Sequence, residues 1–478
     1  MVVALILRPP VGQGRTAHDI KRPPGRADTS AYILPPDMDM APGYLLSALA
    51  ALLLLAPVAY AQPDEPIVRV HVLARVAPQA VTVTADGAPL TLYADRTDTP
   101  VATLQPGQSA EVERVGDRLR LRTPSATLQA EVVEVLPRPG EALALRTGAD
   151  RKRYRGALSV ELDRGRRALR LVNYVPVEAY VASVVASEYP FDEVEGVKAQ
   201  AVLARTYALR ARDLSQPFDV TDDTDSQVYR GADAETAVSR AAAEATRGEV
   251  LTYGGALAEA TYYSCSGGHT ANNDDVWNGN PLPYLRGRPD PYDAACPDHR
   301  WTTTAPVSGV LRALSSRFGG GVTGVEVAAR ADDGRVTRVR LLGNGRTISG
   351  NEFRAAVNAA FGIRTVRSTH FQLSRDGSRY TFSGRGFGHG VGMSQYGARG
   401  QARQGRSYRD ILGFYFAGTD VRPIRDGYDG VPVRYASAGA APSGGLVPYE
   451  PRTPRARQRA ADAHPGNERA EPVRRLAW

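Results

Sequence analysis

Glu188 is the residue whose type and setting best suit catalysis. It closes the segment from Pro176 to Ser187, in which Val177, Tyr180, Val181, Val184 and Val185 fall at helical spacing on one apolar stripe. Proline suits a helix's first turn, and Pro190 predicts a stop that holds Tyr189 extended. Glu188 would then sit at the helix C-terminus, where partial negative charge disfavours a carboxylate. Tyr189, Pro190 and Phe191 add apolar surroundings that push the same way. Both effects raise the pKa, as a general acid at neutral pH requires. The same pattern also describes an ordinary surface glutamate, so spacing alone leaves both readings open.

Other chemistry-bearing stretches follow. In KAQAVLARTYALRAR, Lys198, Arg205 and Arg212 recur every seven residues and share a face. That face is either solvated or places Arg205 in a groove, where it could bind a sugar carboxylate or lactyl group. YYSCSGGHT from Tyr262 begins a loop rich in aromatic and hydrogen-bonding groups. Cys265 and Cys296 admit a disulfide, free thiols, or a zinc site completed by His269 and His299. A Cys265 nucleophile has no companion pattern. GRGFGHGVGMSQYGARGQA from Gly384 matches neither the dinucleotide nor the P-loop pattern. What it offers is a backbone free to take positive φ and approach a ligand, carrying His389 as either a structural or a catalytic group. HExxH is absent.

The elements around these residues read as α+β. From about Val68 to Arg167, segments such as VRVHVLARV, AVTVTADG and DRLRLRT alternate apolar and polar residues, predicting a β-rich N-terminal region at 62–150. A second domain follows over 151–421. Helices are expected at Val197–Asp213, Ala234–Thr246, Gly350–Phe361 and Ser394–Gln404, and a capped one starts at Ser407. Strands are expected at Glu249–Thr252, Leu257–Tyr263, Val322–Ala329 and Val336–Leu342. The absence of a βαβ rhythm argues against a doubly wound sheet.

The chain ends carry different signals. Tyr44–Val58 is an apolar run followed by Ala59-Tyr60-Ala61, predicting a signal peptide over 40–61 and export to the periplasm, cell wall or exterior. An uncleaved segment is the alternative and the one expected membrane contact. Residues 1–39 form an upstream or n-region segment without periodicity. The tail at 435–478 is rich in Pro, Ala and Arg and reads as disordered. Lys and Arg exceed Asp and Glu by 59 to 51. That excess is too mild to indicate a nucleic-acid partner.

The order of several segments resembles the SpoIID/LytB family, named for stage II sporulation protein D and an amidase enhancer. They are YRGALSV (Tyr154), NYVPVEAYVASVVASEYP (Asn173), VKAQAVLARTYAL (Val197), DSQVYRG (Asp225), SCSGGHT (Ser264), VWNGNPLPYL (Val276) and the Gly384 segment. The resemblance spans roughly residues 68 to 421. It implies a SpoIID-type catalytic domain that cleaves peptidoglycan glycan strands, preferring those stripped of peptides. The mechanism implied is that of a lytic transglycosylase with a single glutamate, Glu188, leaving 1,6-anhydro-N-acetylmuramic acid ends. It further implies a glycan groove lined by Lys198, Gln200, Arg205, Tyr207, Gln227, Tyr229, Ser266, Gly267, His389, Ser394 and Gln395. No cofactor is required. Some relatives bind zinc near Cys265, although many carry Thr or Ser at that position. Hydrolysis would need a second carboxylate, for which Asp192, Glu193, Asp222, Asp223 and Asp225 are available. A non-catalytic glycan binder that enhances a cell-wall amidase is the alternative.

Overall fold

The computed structural model describes residues 65–277 and 279–424. The expected leader, the segment before it and the C-terminal tail lie outside these residues. Among them, no helix is long and apolar enough to cross a membrane.

The α+β expectation holds. Thirteen strands come first: β1 (Ile67–Val72), β2 (Ala80–Ala85), β3 (Leu90–Ala94), β4 (Ala102–Leu104), β5 (Ser109–Val115), β6 (Arg118–Arg122), β7 (Thr127–Ala130), β8 (Val132–Pro137), β9 (Ala142–Thr147), β10 (Asp150–Arg155), β11 (Ala157–Asp163), β12 (Ala168–Pro176) and, after two helices, β13 (Val220–Thr221). They form a seven-stranded sheet, β13-β1-β12-β11-β8-β3-β4, and a six-stranded sheet, β10-β9-β2-β5-β6-β7. Alternation in β2, β3 and β6 matches one buried and one more open face. In β1 every residue is buried. Strands from both sides of residue 150 share the larger sheet, since β1 pairs with β12 and β8 with β11.

β12 runs directly into helix α1 (Val177–Glu188), followed by α2 (Val194–Arg210) and α3 (Ala237–Ala245). The single apolar stripe expected on α1 needs correction. Glu178, Ala182 and Ser183 are buried along with the valines, so the helix is enclosed on nearly all sides. Its N-terminus has no capping side chain of its own. Instead, Glu65 Oε1 accepts the Glu178 backbone N–H at 2.8 Å.

Arg205 is the deepest charged group in this region, with no exposed surface. Its Nε donates to Glu178 Oε1 at 3.0 Å, Nη1 to the Glu249 carbonyl at 2.9 Å and Nη2 to the Ala243 carbonyl at 3.2 Å. Gly248 N–H completes the carboxylate at 3.0 Å. Neither sequence reading of Arg205 survives, because its partners enclose it away from both solvent and groove.

A second core is built from residues 301–384. It holds α4 (Val307–Phe318) and α5 (Gly350–Phe361), packed with strands around Leu314, Phe353, Phe371 and Phe382. The chain then returns through the glycine-rich loop to α6 (Gln395–Arg403) and α7 (Tyr408–Tyr415). The last strand, Asp420–Pro423, pairs with Glu249–Tyr253.

Glu178→Gln leaves a buried guanidinium without its counter-charge and is expected to lower stability by about 3–5 kcal/mol. Urea denaturation checks this, and an unchanged midpoint would show the pair to be dispensable.

Candidate functional site

Glu188 is the last residue of α1 and is 9% exposed. Tyr189 N–H still bonds the Val185 carbonyl at 2.9 Å before the chain turns away at Pro190. Glu188 Oε1 accepts the Val228 backbone N–H at 2.7 Å. Oε2 has no partner among the described residues and is not enclosed. Burial raises the carboxyl's pKa above its ordinary value, opposed by the Val228 N–H and the nearby positive charge of Arg230. The result is an acid with one oxygen anchored and the other open.

Behind it lies a short polar chain. Tyr180 hydroxyl donates to Gln227 Oε1 at 2.9 Å, and Gln227 Nε2 donates to the Tyr262 hydroxyl at 2.9 Å. Burial raises the pKa values of both phenols well above the ordinary one, and the nearby Glu188 charge acts in the same direction. Of the predicted set, then, Gln227 gathers behind Glu188, and the half-buried Tyr207 lies near the two phenols. Tyr180, Tyr262, the Val228 N–H and Arg230 complete the site and were not put forward as site residues from the sequence. For Val228 and Arg230 the available signal was the alternation in QVYR. Gln227 and Tyr229 point inward, while Val228 is half-buried and Arg230 exposed.

His389 reaches the site through backbone. Its Nδ1 accepts the Val391 N–H at 3.1 Å, so Nε2 carries the proton and donates to the Tyr262 carbonyl at 3.0 Å. Trp277 and Tyr263 lie against its ring. At two of the loop's glycines the close approach is to the chain itself. A Cβ on Gly392 would meet the Thr261 carbonyl at 2.2 Å, and one on Gly386 the Cys265 carbonyl at 2.6 Å. Their positive φ values, 79° and 74°, seat the loop against the chain itself.

The remaining candidates are placed elsewhere or serve structure. Gln395 Nε2 donates to the Glu188 backbone carbonyl at 2.8 Å, holding the helix end without facing a groove. Ser394 is buried and caps α6 through the Gly397 N–H. Tyr229 is buried with its hydroxyl on Asn173 Oδ1 at 2.8 Å. Gln200 is fully buried. Lys198 is taken up by Glu195 at 2.7 Å. Ser266 Oγ and Gly267 N–H both donate to Asp293 Oδ2, at 2.6 and 2.8 Å.

Of the carboxylates open to a hydrolytic role, Glu193 pairs with Arg399 and Arg403. Asp222 accepts the Leu73 N–H, and Asp223 pairs with Arg75. Asp192 and Asp225 are exposed.

Cys265 and Cys296 form a disulfide with Cα atoms 6.4 Å apart. His299 Nδ1 meets Asp293 Oδ1 at 3.1 Å, and His269 Nδ1 meets the Thr270 carbonyl at 2.7 Å. With both sulfurs bonded to each other, these four side chains do not fit a zinc ion, which needs thiolates. Asp290 lies beside Asp293 beneath this loop, accepting the Tyr415 hydroxyl at 2.9 Å. Burial and then the Asp293 charge push its pKa up to about 6.

The buried acid at the end of α1 and the mixed sheets define a class that sequence comparison identifies. Residues 165–253 match the stage II sporulation protein family model, and residues 292–392 match a domain of unknown function. Stage II sporulation protein D of Bacillus amyloliquefaciens is 34% identical over 268 residues, covering 52% of this chain and 75% of that protein. Its counterpart in Bacillus subtilis is 32% identical, covering 54% of this chain and 77% of that protein. An amidase enhancer of Bacillus subtilis is 30% identical over 50% of this chain and 39% of its own length. The chain belongs to the SpoIID/LytB family.

Asp290 should couple stability to pH. Its folded pKa is raised, so the native state holds the proton more tightly than the unfolded chain does. That contribution is full below the ordinary value of 3.8 and is lost as pH rises through about 6. The loss amounts to about 3 kcal/mol at 1.36 per unit. Asp290→Asn should flatten this slope in urea denaturation across that window. An unchanged slope would assign the dependence to another group.

Proposed function

We propose that this protein is a lytic transglycosylase acting on peptidoglycan glycan strands stripped of their peptides. The single supporting observation is the Glu188 carboxyl: buried, raised in pKa, bonded on Oε1 and open on Oε2. The proton on Oε2 passes to the glycosidic oxygen between N-acetylmuramic acid and N-acetylglucosamine, and the C1–O bond breaks. The muramic acid's own C6 hydroxyl closes on C1 and returns its proton to the Glu188 carboxylate. A 1,6-anhydro end forms and no water is consumed. The engagement of Glu193, Asp222 and Asp223 elsewhere favours this route over two-carboxylate hydrolysis. Acting on glycan also places the protein outside the cytoplasmic membrane, in keeping with the leader read from the sequence.

The similarity to an amidase enhancer favours a second reading, in which the cleft binds glycan and a partner amidase does the cutting. Digestion of denuded strands with the purified protein, read by mass spectrometry, separates the two. Glu188→Gln is expected to lower release of anhydro-ended fragments by roughly 10²–10⁴-fold. Binding without fragment release by the wild-type protein would favour the enhancer. The rate should also fall as pH rises through the elevated pKa of Glu188, since only the protonated acid starts the reaction. A rate rising over that range would exclude Glu188 as the acid.

A further inference from the structure

Arg230 is an exposed arginine whose backbone is pinned near the acid and whose guanidinium has no counter-ion among the described residues. Its backbone is set by α1, because Arg230 N–H donates to Ser183 Oγ at 3.3 Å and Ser183 Oγ donates to the Gly231 carbonyl at 2.8 Å. Two residues earlier, Val228 N–H is bonded to Glu188 itself. Ser183 and Glu188 are five residues apart on that helix, a rise of about 7.5 Å. The segment from Gln227 to Gly231 is therefore pinned at two points along the helix that carries the acid. Its alternation turns Gln227 and Tyr229 inward and sends the Arg230 side chain to solvent.

Neighbouring arginines are neutralised: Arg153 by Asp233 at 2.6 Å, and Arg155 by Glu235 at 2.9 Å. Among the described residues the Arg230 side chain has no such partner. Its charge also works against its neighbour, stabilising ionised Glu188 where the reaction needs the protonated form. An anion bound at Arg230 would cancel that effect when substrate arrives.

Resting on the glycan-cleaving reading above, we propose that Arg230 is a specificity-determining residue that pairs with the free lactyl carboxylate of the muramic acid at the scissile bond. That carboxylate is the anionic group of a denuded strand. It is borne on the sugar whose C1–O bond is cut, and attachment of a stem peptide converts it to a neutral amide. A planar guanidinium accepts a carboxylate through two parallel hydrogen bonds and gains much less from an amide. Selection of stripped strands thus follows from charge at one position. Arg205, the arginine that sequence spacing put forward for this role, is sealed behind Glu178.

The test compares denuded glycan strands with the same strands after their lactyl carboxyls are coupled to methylamine, using wild type, Arg230→Gln and Arg230→Lys. Wild type is expected to lose roughly 10- to 100-fold in kcat/KM on the amidated strands, the range of a hydrogen bond to a charged group. Arg230→Gln should lose as much on the free strands and no longer distinguish the two, while Arg230→Lys recovers part of the preference. Wild-type cleavage with a preference that survives in Arg230→Gln overturns this assignment and leaves the glycan-cleaving reading intact. Wild type that releases no fragments overturns that reading. The assignment is then decided by binding, and equal Kd values of wild type and Arg230→Gln for denuded strands reject it.

Discussion

The buried pair between Arg205 and Glu178 is the constraint on which the rest of the molecule depends. Two charges removed from water are costly, and only good geometry with every remaining donor satisfied offsets that cost. Here the guanidinium reaches α1, the end of α3 and the strand at Glu249, while the carboxylate also takes the Gly248 N–H. One side chain thus fixes the axial position of α1 against α2 and α3. Because Glu188 lies ten residues further along the same helix, its place is set from this remote point. Glu65 adds a second hold by capping the helix N-terminus.

At the other end of α1 the electrostatics are a balance. Burial favours the neutral acid, while the Val228 N–H and Arg230 favour the anion. Burial outweighs the two opposing groups, so this carboxyl holds its proton more tightly than an ordinary one, as the proposed acid role requires. The glycine-rich loop contributes by support. His389 and Gln395 spend their hydrogen bonds on the backbone of Tyr262 and Glu188, so the site's walls are held by main-chain contacts.

Where the sequence was informative, local physics carried the signal. The α5 helix matches its expected bounds, and its Ser349–Glu352 capping box is a short-range feature. Period-two alternation gave β2, β3 and β6 for the same reason. The Glu188 helix end was legible from Pro190. The α4 helix and the hairpin Phe371–Gly384 were not marked, and the expected strand Leu257–Tyr263 survives only as its two ends. Arg205 shows why site residues are harder. Heptad spacing says which residues share a face, but not what faces them, and its partner Glu178 lies on another helix. Tyr229 and Ser394 failed as groove residues for the same reason, since their burial depends on contacts that only the folded chain supplies.

Gln395 secures the Glu188 carbonyl across 207 residues of sequence. Ribosomes deliver α1 long before they deliver that glutamine, and contacts between such distant segments close late. A nascent chain therefore carries a helix end that stays untethered until the segment holding Gln395 has emerged. The order of synthesis thus sets the order in which the two ends of α1 are secured.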